Sequence, residues 1–415
     1  MFPDSLIGVD DFITHLWEIH LAVKKEGYAQ TLSLGLFRSD YMAHICSNTD
    51  TASLKQVEFN TIAASFGGLS SRVTSLHTDL LSFPNYPSHP LLDSNVPPQN
   101  TAVETLSAGL ATAHNGYGPS KSSPALSTCI IFIVQGNERN VFDQFALLQQ
   151  LTREHRIPVF RLPSTEILNQ TSILSANPAR PLVYCPPHLA GTQYEVTTVY
   201  FRSFYTPSDY TSERDWEGRA HLERSAAIKC PTILNQLAGS KIVQQVLAGK
   251  LGPDHLAKFM AGTDPSTLAR LRATFAPQYD LSSNGQGREI ALNPETAANH
   301  VLKPQREGGG NNIYKSEIPD FLRSIPESDW KRWILMELIH PPASAKNIAL
   351  RSDGEVLEGH VISELGTYGT ILWDQKDKNI LQNEKGGYLL RTKEKGVNEG
   401  GVASGFSSLD SVILF

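Results

Sequence analysis

Apolar side chains recur at helical spacing near the start of the chain, over residues 10 to 26. The residues that set this spacing are Phe12, Leu16, Ile19 and Val23. Gly27 follows as a suitable stop, so we predict one amphipathic helix here. Two strand-like runs come next, at 30–41 and 54–62, and a proline-rich stretch at 82–100 predicts a surface loop.

From about residue 126 the pattern changes to short apolar runs that alternate with helical segments. The run from Cys129 to Val134 is continuously apolar, which is typical of a strand buried on both faces. We predict helices at 142–151 and 212–229, with strands at 157–162, 182–184 and 197–204. This alternation predicts a small α/β domain with a largely parallel sheet.

After residue 231 the character is mixed again, with a predicted helix at about 241–250. Strand-like runs are found at 299–304, 332–339 and 359–374. We therefore predict an α/β protein whose parts are bounded at 1–125, 126–230 and 231–415.

Composition narrows the function classes. The chain has 415 residues and a net charge of −6, and this charge does not favour nucleic acid as a partner. The most apolar run is too short to span a bilayer, and no cationic, apolar leader opens the sequence. We therefore expect no membrane partner. The four cysteines show no CxxC spacing, so we expect reduced thiols in a cytoplasmic protein.

The segment from Lys303 to Asn312 is the strongest candidate for a binding site in the sequence. Its three consecutive glycines let backbone N–H groups approach an anion closely, and Lys303 supplies positive charge just upstream. A carboxylate inside the loop, Glu307, is suited to a magnesium ion beside nucleotide phosphates. Because neither a Gly-Lys-Ser/Thr ending nor a GxGxxG pattern is present, a flexible surface loop is the alternative.

A second candidate is the strand around Glu58. Strict alternation would place Glu58 and Asn60 on one face, with Val57 and Phe59 on the other. Two oxygen ligands at this spacing suit magnesium, although a polar outer face of a half-buried strand is the commoner origin of such a pattern.

A third candidate lies near the C-terminus. Arg391 and Lys393 would share a strand face, followed by the small residues from Gly400 to Gly405. Such a loop can close over a ligand, but a solvated basic pair followed by a plain loop accounts for the same residues.

Together these segments resemble the eukaryotic-type glutathione synthetase family, from about Asp10 to the C-terminus. The segments that carry the resemblance are Leu36 to Met42, Glu58 to Asn60, Ser65 to Leu69, Glu138 to Gln144, Val199 to Arg202, Gln236 to Lys241, the loop from Lys303, Ile334 to Glu337, Ser363 to Gly366 and Leu390 to Lys393.

The resemblance implies an ATP-grasp architecture with a lid, in which residues 126–230 form an inserted substrate domain. It implies ligation of γ-glutamylcysteine to glycine, driven by ATP with Mg²⁺, through an acyl phosphate. Members of the family are usually homodimers and carry further residues before the first helix, so we expect the dimer surface of this chain to be incomplete.

The resemblance also assigns residues. The implied magnesium ligands are Glu58, Asn60 and Glu307. The implied nucleotide site comprises Glu58, Lys241, Lys303, Glu307, Gly308, Gly309, Gly310, Asn311, Asn312, Tyr314, Met336, Glu337, Leu338, Ile339, Glu364, Lys393 and Glu399. The implied substrate contacts are Arg38, Ala63, Ala64, Ser65, Glu138, Arg139, Asn140, Gln144, Arg202, Tyr205, Arg391, Val402 and Ala403.

Four of the implied residues would act on the reacting groups: Arg38, Arg391, Gly308 and Gly309. Two positions depart from the family pattern: Ala63 replaces a frequent serine, and Glu399 a common aspartate. Two other functions stay open at this point. One is a related ligase that uses alanine or β-alanine as the acceptor, and the other is a non-catalytic protein that only holds nucleotide or dipeptide.

Overall fold

The computed structural model of the chain describes residues 6–45, 52–84, 86, 90, 92, 96–249, 254–282, 285–307, 310–342, 346–350, 354–397, 401–402 and 405–414. Among them, no helix is both long and apolar enough to cross a membrane. The predicted α/β class is confirmed, because the described residues form three sheets covered by helices. The predicted domain boundaries stay a prediction.

The main sheet is antiparallel and joins the two ends of the chain. Its strands are β1 (Leu32–Ile45), β2 (Ala52–Asn60), β13 (Lys346–Leu350), β14 (Val356–Asp374), β15 (Ile380–Glu394) and β16 (Ser408–Asp410). They lie in the order β16-β15-β14-β1-β2, and β13 pairs with the start of β14. Residues far apart in sequence are therefore neighbours here, for example Asp40 of β1 opposite Gly366 of β14.

A second, mixed sheet occupies the middle of the chain. Its strands are β3 (Ser127–Val134), β4 (Val159–Pro163), β5 (Thr171–Ile173), β6 (Leu182–Tyr184), β7 (Tyr194–Phe201) and β8 (Ile228–Cys230). The pairs β3–β4, β3–β7 and β7–β8 are parallel, whereas β5–β6 and β6–β7 are antiparallel. The sheet expected here to be largely parallel therefore has an antiparallel margin.

The third sheet is small and antiparallel, in the order β11-β10-β12-β9. Its strands are β9 (Gln278–Asp280), β10 (His300–Pro304), β11 (Ile313–Tyr314) and β12 (Trp333–Glu337). It faces the end of the main sheet, where Ile45 donates its backbone N–H to the carbonyl of His340 at 2.8 Å.

The α-helices are α1 (Asp11–Glu26), α2 (Gly67–Ser82), α3 (Ala102–Tyr117), α4 (Val141–Glu154), α5 (Ile167–Gln170), α6 (Glu213–Arg224), α7 (Ile233–Ala238), α8 (Lys241–Ala248), α9 (His255–Phe259), α10 (Pro265–Thr274), α11 (Gly287–Leu292), α12 (Pro294–Ala297) and α13 (Glu317–Ser324). Short 3₁₀ turns are formed by Ser164–Glu166, Pro207–Asp209 and Glu327–Arg332.

The first helix forms as its sequence predicts. Asp10 caps it by accepting the N–H of Ile13 at 3.1 Å, and Gly27 ends it at a φ of 91° that suits glycine. The predicted helix at 212–229 is shorter than expected: α6 ends at Arg224, because Ile228–Cys230 adds a parallel strand to β7.

The apolar run of β3 is explained by two cores. Ile130, Phe132 and Val134 pack in one core with helices α3 and α4 and part of the main sheet. Cys129, Ile131 and Ile133 pack on the opposite side of the sheet, against Val199 and Leu222. From Cys129 to Val134 both faces of the strand are buried, so every position of this run is apolar.

Candidate active site

A cleft of about 220 Å³ lies between the main sheet and the small sheet. Its lining includes many of the residues that the resemblance assigned to nucleotide, together with Arg391. Those described there are Glu58, Lys241, Lys303, Asn312, Tyr314, Met336, Glu337, Leu338, Ile339, Glu364, Arg391 and Lys393. Strands from both sheets, residues directly next to those strands and the start of α8 supply them, so the cleft exists only once the sheets face each other.

Lys241 lies at the centre of the charged floor of this cleft. Its Nζ donates to Oε2 of Glu58 at 3.0 Å and lies 3.9 Å from Oε2 of Glu307. Two carboxylates thus converge on one ammonium group. Among the described residues, no group of three or more His, Cys, Asp or Glu side chains forms a metal site.

The carboxylates of this floor differ in their affinity for protons. Burial favours the neutral form of Glu58, but the charges of Lys241, Lys303 and Arg391 outweigh it and hold the pKa of Glu58 below its usual value. Burial raises the pKa of Glu307, and Lys241 only partly opposes it. Burial likewise lowers the pKa of Lys303 to about 8.

The strict alternation expected for the Glu58 strand is wrong at Val57. Asp40 pairs with Glu58 and Tyr41 pairs with Gln56, so Val57 is the extra residue of a β-bulge. Val57 consequently lines the cleft beside Glu58, and its carbonyl accepts the Nζ of Lys303 at 2.9 Å. Alternation resumes at Phe59, whose ring packs against Phe37 at 5.4 Å.

A charged network crosses the main sheet beside the cleft. Arg38 donates to both oxygens of Asp40, from Nε at 2.6 Å and from Nη2 at 2.8 Å. Asn60 and Arg391 donate to the same carboxylate at 3.0 and 3.2 Å. Arg391 also pairs with Glu364. Sequence reasoning missed Asp40, although its place two residues after Arg38 puts both on one strand face.

The predicted substrate residues from the turn before α2 meet Arg202. Its Nη2 donates to the Oγ of Ser65 at 2.7 Å. The carbonyl of Ser65 accepts from Arg38 at 3.1 Å and from the hydroxyl of Tyr368 at 2.6 Å. Ala64 is buried next to this serine. The turn therefore joins the network of the main sheet to the residue that follows β7 of the mixed sheet.

The backbone of this turn is strained, since Ala63 and Phe66 have φ values of 50° and 73°. Asp143 of α4 holds it by accepting the N–H groups of Phe66 at 2.8 Å and Gly68 at 2.7 Å. Sequence reasoning also missed this buried carboxylate, whose position within the segment from Glu138 to Gln144 was the available signal.

Glu138, Asn140 and Gln144 come together at the start of α4. The Oε1 of Glu138 accepts the backbone N–H of Asn140 at 2.7 Å, and its other oxygen accepts from the amide of Gln144. Arg139 is exposed between them. The hydroxyl of Tyr205 accepts a hydrogen bond from the Nε2 of Gln135 at 3.2 Å.

The remaining predicted positions are less informative. Gly310 and Asn311 are described but do not line the cleft, and Val402 is half-buried. Gly308, Gly309, Glu399 and Ala403 lie outside the described residues. Sequence reasoning also missed the apolar wall of the cleft, which includes Met42, Val301 and Ile362. Val301 lies two residues before Lys303, on the same strand face.

Comparison with known proteins identifies the family of the chain. The family model described as eukaryotic glutathione synthase, ATP binding domain, matches residues 2–414. Glutathione synthetase of Xenopus laevis is 39% identical over 99% of this chain and 81% of its own length. The human glutathione synthetase is 39% identical over 98% and 80%. The large chain of glutathione synthetase from Schizosaccharomyces pombe is 37% identical over 99% and 82%.

A solved structure shows the same fold. It is a glutathione synthetase-like effector from Globodera pallida in its apo form, with a TM-score of 0.69 and 20% identity. The match covers 98% of this chain and 86% of that one. From the family model and from relatives of this identity and coverage, the chain belongs to the eukaryotic glutathione synthase family.

Proposed function

We propose that the chain joins γ-glutamylcysteine to glycine at this cleft, in a ligation that consumes ATP. One observation supports the location: Lys241, Lys303 and Arg391 meet in a cleft that also connects, through Arg38, to Ser65 and Arg202. Cations for a triphosphate thus lie beside donors for a substrate carboxylate. Membership in the glutathione synthase family supports the reaction itself.

The residue types suit an acyl-phosphate route. A carboxylate must be activated before an amine attacks it, and phosphoryl transfer needs positioning and charge neutralisation more than a protein nucleophile. Lys241 and Lys303 would neutralise phosphate oxygens, while Arg391 would stabilise charge on the transferring group and on the later tetrahedral oxyanion. The apolar wall around Met42 and Val301 would receive the base of the nucleotide.

A magnesium ion fits the donors that the floor of the cleft offers. Glu58 and Glu307 already surround the cationic nitrogen of Lys241, and Asn60 adds an amide oxygen on the strand of Glu58. Hard oxygen ligands of this kind are those that magnesium prefers, with phosphate oxygens completing its shell. When bound, the ion would supply further charge neutralisation for the phosphates.

Arg202 is the best candidate for a carboxylate of the dipeptide. The residue is buried, and its Nε has no hydrogen-bond partner among the described residues. A buried, unsatisfied guanidinium donor is costly, so a ligand oxygen there would be strongly favoured. Glu138 would hold an ammonium group of the same substrate. Its two oxygens each accept one hydrogen bond, from Asn140 and from Gln144, and a carboxylate has further acceptor sites for a cation.

The acceptor and the assembly are part of the same proposal. The small residues from Val402 onward would accept glycine, although one extra methyl group is discriminated against only weakly. A homodimer in the cytoplasm is expected from the family resemblance. Sedimentation of the purified chain would test the assembly.

The decisive experiment measures ADP release with γ-glutamylcysteine, glycine, ATP and Mg²⁺, and follows formation of the tripeptide. We expect Glu58→Gln and Glu307→Gln to lose activity by about 100-fold or more, because charge neutralisation at the phosphates is the main catalytic contribution. Glu358→Gln is the matched control, since Glu358 is an exposed residue of β14. Glutamine variants as active as the parent would refute the metal-ligand role, and preferential use of alanine over glycine would change the acceptor.

A further inference from the structure

The carboxylate of Asp40 is fully buried and is surrounded by donors from three strands. It accepts two bonds from Arg38 of β1, one from Asn60 of β2 and one from Arg391 of β15. The proposed function gives Arg391 a role at the transferring group, and the family resemblance implies that Arg38 also acts on the reacting groups. We propose that Asp40 is a positioning residue that sets the orientation of both guanidinium groups, an inference that rests on the proposed function.

The bond to Arg391 crosses an intervening strand. β14 lies between β1 and β15, and strands are spaced by about 4.8 Å, so a side chain on β14 would ordinarily separate the two. Gly366 occupies that position, opposite Asp40. A Cβ there would lie 2.6 Å from Oδ1 of Asp40 and 2.8 Å from Cδ of Arg38. The absent side chain at residue 366 therefore makes the contact possible.

The geometry fixes the plane of Arg38. A pair of parallel N–H···O bonds from Nε and Nη2 leaves the guanidinium little freedom to rotate. Its remaining Nη1 is then aimed at the carbonyl of Ser65, at 3.1 Å. Asp40 thereby controls where Arg38 meets the turn that also contacts Arg202.

The same carboxylate keeps the two arginines together. Without a negative charge between them, Arg38 and Arg391 would repel each other in a buried, weakly screened site. Glu364 forms an ion pair with Arg391, whereas the ion pair of Arg38 is with Asp40. Removing Asp40 is therefore expected to displace both side chains while leaving the cations present.

The test compares Asp40→Asn with the parent in the ligation assay, per mole of folded protein. Asparagine keeps the volume but turns one accepting oxygen into a donor that faces arginine N–H groups. We expect kcat to fall about 100-fold, because displacements near 1 Å cost about that much, with KM values within about threefold. Gly366→Ala, which keeps the carboxylate but crowds it, is expected to act in the same direction.

A matched control separates positioning from stability. Glu223→Gln disrupts another buried ion pair, Arg219–Glu223, whose partners are 2.8 Å apart and away from the cleft. We expect it to lower the melting temperature but to keep kcat per folded molecule. If Asp40→Asn also keeps kcat, or loses activity only in proportion to folded protein, the positioning role is wrong.

A double-mutant cycle tests whether Asp40 acts through Arg391. In an Arg391→Lys background, Asp40→Asn is expected to cost clearly less than about 100-fold, because one of the two groups that Asp40 positions has already been changed. Full additivity of the two losses would contradict the proposal.

Failure of the proposed function would be visible separately. A parent protein that forms no tripeptide refutes the ligation, and Asp40 is then judged by the NMR signal of the Arg38 Nε–H group. This proton is buried against Asp40 and should exchange slowly in the parent, and at least about tenfold faster in Asp40→Asn. Equal exchange rates would overturn the positioning role regardless of activity.

Discussion

Asp10 and Arg306 form an ion pair with 2.6 Å between Oδ2 and Nη1. Asp10 is buried and caps the first helix, whereas Arg306 directly precedes Glu307 and lines the cleft. The ion pair thus connects the N-terminal end of α1 to the loop that contains Glu307, a predicted magnesium ligand.

Breaking this pair should loosen that loop. Asparagine caps helices as well as aspartate does, so Asp10→Asn removes the ion pair and keeps the cap. We expect the free energy of unfolding to fall by about 1–2 kcal/mol and the ATP concentration for half-maximal rate to rise. Denaturant unfolding and steady-state kinetics measure both. Asp11→Asn, at the exposed neighbouring residue, is the control; equal effects in both variants would argue against the coupling.

Gly239 leaves space that the Glu307 carboxylate requires. Its φ is −76°, so alanine adds no backbone strain, but a Cβ would meet Thr61 Oγ1 at 2.3 Å and Glu307 Oε1 at 3.0 Å. We expect Gly239→Ala to reduce activity by about 10- to 100-fold and to raise the magnesium requirement. Gly359→Ala, where a Cβ meets nothing within 4 Å, should behave like the parent. Unchanged magnesium dependence in Gly239→Ala would contradict this reading.

Ser65 orients Arg202 through the bond of 2.7 Å between its Oγ and Nη2. Ser65→Ala removes that bond and leaves a buried guanidinium donor unsatisfied. We expect KM for γ-glutamylcysteine to rise about 10-fold, with a smaller change in kcat, because hydrogen bonds to charged groups contribute about 1.5–3 kcal/mol. Ser75→Ala, on the exposed side of α2, is the comparison. A rise in KM for ATP alone would show that Ser65 acts on nucleotide binding and not on dipeptide binding, and would contradict this prediction.

Lys229 makes the stability of the protein depend on pH. Its side chain is buried and donates to the carbonyl of Ser225 at 2.9 Å, and burial lowers its pKa to about 8. Between pH 8 and the unfolded value near 10.5, the unfolded chain binds more protons, so stability rises with pH through this window. Below pH 8 both states are protonated and the contribution is constant.

Comparison with Lys229→Met isolates this contribution. The stability of the parent relative to this variant should increase by about 2 kcal/mol between pH 8 and pH 10. Chemical denaturation at several pH values measures it, with Lys25→Met, at an exposed lysine of α1, as control. A difference between parent and Lys229→Met that does not vary with pH would show that Lys229 stays charged when buried.

Local patterns were sufficient for much of the fold. The cap at Asp10 and the stop at Gly27 specify α1 within one stretch of chain, because the groups that satisfy the helix ends are its own neighbours. The continuous apolar run of β3 likewise indicated burial on both faces. The residues of the nucleotide cleft were available from the family resemblance, which needs no knowledge of contacts.

Tertiary structure decided what those residues do to one another. The bulge at Val57 depends on the register between β1 and β2, and alternation within one strand cannot reveal a shift in its partner. Lys241 reaches Glu58 across a sequence separation of 183 residues, and Asp40 reaches Arg391 across β14 because residue 366 is glycine. The chain by itself determined its helices, strands and reactive groups through short-range spacing. Which charges face one another was decided by strand pairing between distant segments, because electrostatic and hydrogen-bond geometry exists only between side chains that the folded sheets bring within a few ångströms.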